Sequence, residues 1–150
     1  MVKKLGLKLK EQKGFTLIEL LAVIVILGII AAIAIPAIGN VIKKSDQKAS
    51  VQEGIQIINA AKMYVADNPN TTDVTLDMNG SATTTALKDY LDRVKDDTFK
   101  VNVTHNATSG KYTYTLEGHA AVALADSTTA PAKGDGDGVA TEQELIEYKN

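Results

Sequence analysis

The chain has 150 residues and a formal net charge of −2. It contains no cysteine, which excludes disulfides and thiolate metal sites. Tryptophan is absent and the aromatics are two Phe and five Tyr, so any core is mainly aliphatic. Five lysines against one glutamate give residues 1–14 a net +4 and leave −6 on residues 15–150, and so acidic a body is a poor non-specific binder of nucleic acid.

The first element is a basic leader, MVKKLGLKLKEQKG, that runs into GFTLIELLAVIVILGIIAAIAIPAI at residues 14–38. From Leu20 to Ile38 no side chain is charged or hydrogen-bonding. At about 1.5 Å per residue this run is long enough to cross a hydrocarbon core of roughly 30 Å. Lysines ahead of it predict that residues 1–14 stay cytoplasmic and that the rest lies on the other side. A secretory signal has a short apolar core followed by its cleavage site. Here the run is too long and Gly14 precedes it, a pattern that fits cleavage on the cytoplasmic side with the helix retained.

Glu19 is the only charge in the run, and an ionisable group at the edge of a membrane span marks function by default. A buried carboxylate is tolerable when paired with an opposite charge. The bland alternative is a carboxylate that snorkels to the head groups of a plain anchor. Pro36 withholds a donor from the Ala32 carbonyl and Gly28 adds backbone freedom, so a bend near Pro36 is expected. The alanines of this stretch permit close approach of helices.

Gly14-Phe15-Thr16-Leu17-Ile18-Glu19, followed by the apolar run with Pro36, resembles the class III signal of type IV prepilins and pseudopilins. The resemblance covers residues 14–38 closely and the rest of the chain only in layout. It implies cleavage between Gly14 and Phe15 by a membrane prepilin peptidase, N-methylation of Phe15, and a mature chain of residues 15–150. It also implies that Glu19 meets the new Phe15 amine of a neighbouring identical subunit and sets the axial step of a helical filament. Gly28 and Pro36 then belong to the assembly helix. The partners implied are identical subunits, the peptidase and an assembly platform in the membrane. The protein is expected in the cytoplasmic membrane first, and then in an extracellular pilus or a short periplasmic or cell-wall fibre.

After Asn40 the pattern becomes amphipathic. Val51, Ile55, Ile58 and Val65 recur at helical spacing, widened by Ile57, Ala61 and Tyr64, and Asn68-Pro69 ends the helix. One helix from about Phe15 to Asp67 is therefore expected, with a length of some 80 Å. Residues 69–83 read as a surface loop with a short extended piece at Val74–Met78. Leu87, Tyr90, Leu91 and Val94 have the spacing of a short amphipathic helix over Thr84–Val94. Phe99, Val101 and Val103 alternate with polar residues, as do Tyr112, Tyr114 and Leu116, and HNATSG between them makes a hairpin. Residues 119–126, HAAVALAD, suit a third strand or a helical turn, and the strand is preferred. His105 and His119 read as surface residues. Asn102-Val103-Thr104 and Asn106-Ala107-Thr108 are glycosylation sequons, short enough to arise by chance in a Thr-rich chain.

Residues 133–144, KGDGDGVATEQE, align with an EF-hand calcium loop: Asp135 and Asp137 at its third and fifth places, Val139 offering a carbonyl and Glu144 at the bidentate last place. Lys133 stands where the first ligand belongs, and no entering helix precedes it. The alternative is a solvated Gly/Asp turn followed by a helix that Thr141 and Glu144 start as a capping box. Ca²⁺ is thus an optional cofactor.

The expected fold class is α+β: a long N-terminal helix with a small antiparallel sheet packed on its C-terminal half, the layout of type IV pilins. Three segments follow, a cleaved leader (1–14), a transmembrane or fibre-core helix (15–40) and a soluble head (41–150). No catalytic constellation, phosphate-binding loop or DNA-binding face is visible. The leading reading is a structural pilus subunit serving adhesion, motility or DNA uptake. The alternatives are a pseudopilin of a secretion or competence system, a minor pilin that primes assembly, and a monomeric membrane-anchored calcium-dependent binding module.

Overall fold

The computed structural model describes residues 2–69, 71–129, 132 and 134–148, with side chains from Leu17 onward. Two compact units divide the chain, Met1–Lys43 and Lys44–Asn150. One helix, α1, runs Val2–Asp67 and belongs to both. It therefore begins within the leader, ahead of the expected start at Phe15, because nothing in the Lys- and Leu-rich leader breaks a helix. It ends where Asn68-Pro69 predicts: the Asn68 N–H donates to the Tyr64 and Val65 carbonyls, and the next residue has no N–H to give. Pro36 lies inside the helix.

In the second unit the amphipathic stripe of α1 is core. Val51, Ile57, Ile58, Ala61 and Val65 are buried, with Ile55 and Tyr64 packed against them. Four further side chains of the stripe's opposite face, Lys48, Gln52, Gln56 and Asn59, are exposed. The stripe packs in one apolar cluster with Leu76, Leu87, Phe99, Val101, Val103 and Leu116.

The sheet has the order β2-β1-β3-β4-β5, with β1 Val74–Asp77, β2 Thr85–Ala86, β3 Lys100–Asn106, β4 Lys111–Glu117 and β5 Ala140–Thr141. The expected hairpin is β3–β4, paired from Lys100↔Glu117 to Asn106↔Lys111. The pairs β1–β3, β3–β4 and β4–β5 are antiparallel, but β2 joins β1 in parallel, so the sheet is mixed.

Three expectations need correction. The segment 84–94 is not a helix. Its first residues form β2, and only one turn closes, through Tyr90 and Leu91 N–H groups donating to the Leu87 carbonyl. The predicted apolar face is nonetheless used, since Leu87 and Leu91 are buried. Side chains from elsewhere decide the backbone. Asp77 accepts the Thr84 hydroxyl at 2.6 Å together with the Asn79 and Gly80 N–H groups, and Glu53 of α1 accepts the Lys95 N–H. Secondly, residues 119–126 form a helix, α2 (Ala120–Ala125), rather than a strand. Its small residues face α1 at Gly54, where a Cβ would lie 2.9 Å from the Ala121 Cβ. Thirdly, His119 is buried at 3% exposure, because it caps α2: its Nδ1 accepts the Ala121 N–H at 3.0 Å. His105 is half-buried and stacks on Tyr112 with ring centroids 4.6 Å apart.

The last element, α3 (Glu142–Glu147), begins with the Thr141–Glu144 capping box. Lys62 of α1 holds its first turn through a 2.5 Å ion pair with Glu142.

Candidate processing and assembly segment, and an acidic loop

Gly14, Phe15 and Glu19 are consecutive stations on one helix, and the four-residue step from Phe15 to Glu19 is one turn, a rise of about 6 Å. The Gly14–Thr16 backbone is helical, and their side chains lie outside the described set. Leu17 to Ile42 presents its large apolar side chains outward on every face, from 48% exposure at Val23 to 71% at Ile33. The segment is long and apolar enough to cross a membrane. A helix apolar all round belongs in lipid or among other helices. Gly28 has nothing within 4 Å of where a Cβ would stand, so no contact within the chain requires a glycine there. Glu19 is exposed on the same surface.

The acidic turn is organised by a residue outside its own sequence. Asp126, the C-cap of α2, is buried at 7% exposure. Its Oδ1 accepts the Gly136 N–H at 2.9 Å and its Oδ2 the Gly138 N–H at 2.8 Å. Gly134 passes so close that a side chain there would overlap the Asp126 backbone. Asp135 accepts the Asp137 N–H and Asp137 the Val139 N–H, at 3.2 and 3.0 Å. One carboxylate oxygen from each of Asp126, Asp135 and Asp137 lies within 4.8 Å of the others.

Asp135 and Asp137 are therefore brought together, and Asp126 joins them. Glu144 is not in the cluster. Its Oε2 accepts the Thr141 N–H and hydroxyl at 2.7 and 2.8 Å, which commits it to starting α3. Lys133 lies outside the described residues. Asp126 was invisible to the loop template because it comes from the preceding helix. The only cue is an acidic residue at the end of an alanine-rich run.

Residues 9–35 match the model of the prokaryotic N-terminal methylation motif. The type II secretion system core protein G of Vibrio cholerae is 41% identical over 61 residues, covering 41% of this chain and 42% of that protein. The type IV major fimbrial protein FimA of Dichelobacter nodosus is 45% identical over 64 residues, covering 43% of this chain and 38% of that protein. Core protein G of Escherichia coli is 38% identical over 58 residues, covering 39% of this chain and 40% of that protein. The chain thus spans about two fifths of the length of the curated relatives it matches. No solved structure matches. Over its N-terminal part the chain therefore carries the methylation motif and apolar helix shared by type IV prepilins and type II secretion pseudopilins.

Proposed function

We propose that this protein is a structural subunit of a type IV pilus or of a pilus-like fibre, with no catalytic role. The single observation that carries the reading is the wholly exposed apolar helix whose one carboxylate, Glu19, lies a turn beyond Gly14-Phe15. Prepilin peptidase cuts between Gly14 and Phe15, and the new Phe15 amine is methylated. Before assembly the helix anchors the subunit in the cytoplasmic membrane, with the leader inside and residues 44–150 outside. On assembly, identical helices replace lipid around Leu17–Ile42. The cationic Phe15 amine of one subunit then neutralises Glu19 of its neighbour, and this pairing defines the axial register more than it adds stability. Gly28 admits a neighbouring helix closely, and Pro36 leaves one backbone acceptor free where the helix can bend.

The prediction is that Glu19→Ala leaves the subunit in the membrane but abolishes or severely reduces fibres, read by shearing and electron microscopy. Normal fibre yield from Glu19→Ala overturns the pairing. The pseudopilin alternative is favoured by the likeness to core protein G and differs in fibre length and destination, not in this mechanism.

A second element of the reading is calcium at the acidic loop. Ca²⁺ takes hard oxygen donors, and Asp126, Asp135 and Asp137 offer three carboxylates at one point. Those residues would hold the ion, with the remaining places filled by carbonyls or water. Glu144 is spent on its cap, so the set departs from the EF-hand arrangement. A divalent charge relieves the repulsion of three carboxylates and staples a head that has no disulfide.

A further inference from the structure

The chain holds four Asn-X-Ser/Thr sequons, at Asn70, Asn79, Asn102 and Asn106. Asn70 lies outside the described residues, and of the two sequons on β3 one is structurally consumed and the other is displayed. Asn102 sits in the middle of β3, half-buried, with its Oδ1 accepting the Thr75 hydroxyl at 3.0 Å and its Nδ2 donating to Glu117 at 3.4 Å. Asn106 is the last residue of β3, and all five residues from Asn106 to Gly110 are exposed. The hairpin end also stands clear of the sheet. Strand β1 pairs no further than Val103 and β5 no further than Thr115, so the rungs Thr104↔Thr113, His105↔Tyr112 and Asn106↔Lys111 have no flanking strand. The overhang is held in shape. His105 stacks on Tyr112, whose hydroxyl donates to the Thr71 carbonyl at 2.9 Å, and Gly110, at φ +67°, closes the turn by donating to the Asn106 carbonyl at 2.7 Å. The Asn106 side chain is oriented by its oxygen. Oδ1 accepts the Thr108 and Ser109 N–H groups at 3.0 and 2.9 Å, which turns Nδ2 outward with no partner among the described residues.

We propose that Asn106 is an N-glycan acceptor and that Asn102 is not. The donor is an oligosaccharide carried on a lipid pyrophosphate. Nδ2 forms a C–N bond to the anomeric carbon as the anomeric C–O bond to phosphate breaks. The lipid pyrophosphate leaves with the electron pair, one Nδ2 proton passes to base, and nothing is oxidised or reduced. The bonds that hold the turn use Oδ1 and the backbone, so a glycan on Nδ2 leaves them intact. The inference rests on the reading that residues 44–150 are delivered outside the membrane.

The test is built to separate the two. The full chain, with Asn70→Gln and Asn79→Gln to remove the other two sequons and an unstructured sequon tag joined after Asn150, is produced in cells supplied with an oligosaccharyltransferase that accepts the bare three-residue sequon and with its lipid-linked glycan. Intact mass should show two glycans. Asn106→Gln and Thr108→Ala should each reduce this to one, and Thr108→Ala keeps the Asn106 turn bonds, so a shared loss is not misfolding. Asn102→Gln should leave two. A glycan on the tag alone, or one on Asn102, overturns the proposal. A chain bare even at the tag refutes delivery to the outside, and the proposal falls with it.

Discussion

Gly54 lies in the C-terminal part of α1 where that helix meets α2, β4 and α3. A Cβ there would stand 2.9 Å from the Ala121 Cβ, 3.1 Å from Leu116 Cδ2 and 3.3 Å from Leu145 Cδ2. Two effects compete in Gly54→Ala. Helix propensity favours alanine by about 1 kcal/mol. Overpacking of a filled core costs about 1–3 kcal/mol. The leucine methyls can give by a few tenths of an ångström, but the Ala121 Cβ is fixed to the backbone of α2, so the helix itself must shift. The clash therefore outweighs the propensity, with a net loss of up to about 2 kcal/mol, or up to roughly 8–16 °C in Tm for a domain of this size. The assay is thermal and urea unfolding of a soluble fragment that begins at Lys44. A gain of about 1 kcal/mol, the propensity term alone, would refute the close packing of α2 on α1.

His119→Ala should cost more than His119→Asn by about 1 kcal/mol in the same assay, because both remove the ring but asparagine keeps an acceptor for the Ala121 N–H; equal losses would show that the cap contributes nothing. The Thr84 hydroxyl, the Gly80 and Asn79 N–H groups and Lys100 hold Asp77 below its ordinary 3.8, against the effect of burial. The Thr98 hydroxyl and the Thr98 and Ala120 N–H groups do the same for Asp96. Both carboxylates are thus favoured ionised in the folded state, so their contribution is complete above pH 3.8 and is lost as the pH falls through their lower folded values. Melting temperature should accordingly drop below about pH 4, and Asp77→Asn should flatten that limb; an unchanged limb contradicts the assignment. Millimolar CaCl₂ should raise the melting temperature of the wild-type fragment and not that of Asp135→Asn/Asp137→Asn, and no rise in the wild type leaves the loop a plain turn.

Local chemistry made much of this fold legible. The Asn68-Pro69 stop, the alternation in Phe99–Val103 and Tyr112–Leu116, and the Thr141–Glu144 box all act within a few residues, and each appears where its pattern lies. The misreadings share another cause. In 84–94 the helical spacing of Leu87 and Leu91 is real, but Asp77 holds the Thr84 hydroxyl and Glu53 the Lys95 N–H, from 7 and 42 residues away, and one turn is all that survives. In 119–126 the composition was neutral between strand and helix. The His119 cap acts within the segment, but the contact with Gly54 and the burial of the imidazole arise only on folding. At the candidate sites the contrast repeats. Gly14, Phe15 and Glu19 fall within a local sequence motif, the methylation motif matched over residues 9–35. The Asp126 carboxylate meets a loop 10 residues later, and only folding brings them together.

The most direct test of the account is the mass of the mature N-terminus, measured by mass spectrometry on the protein isolated from its host. The expected mature chain begins at an N-methylated Phe15. A chain that keeps Met1, or one that begins beyond residue 40 with the apolar helix removed, would contradict it.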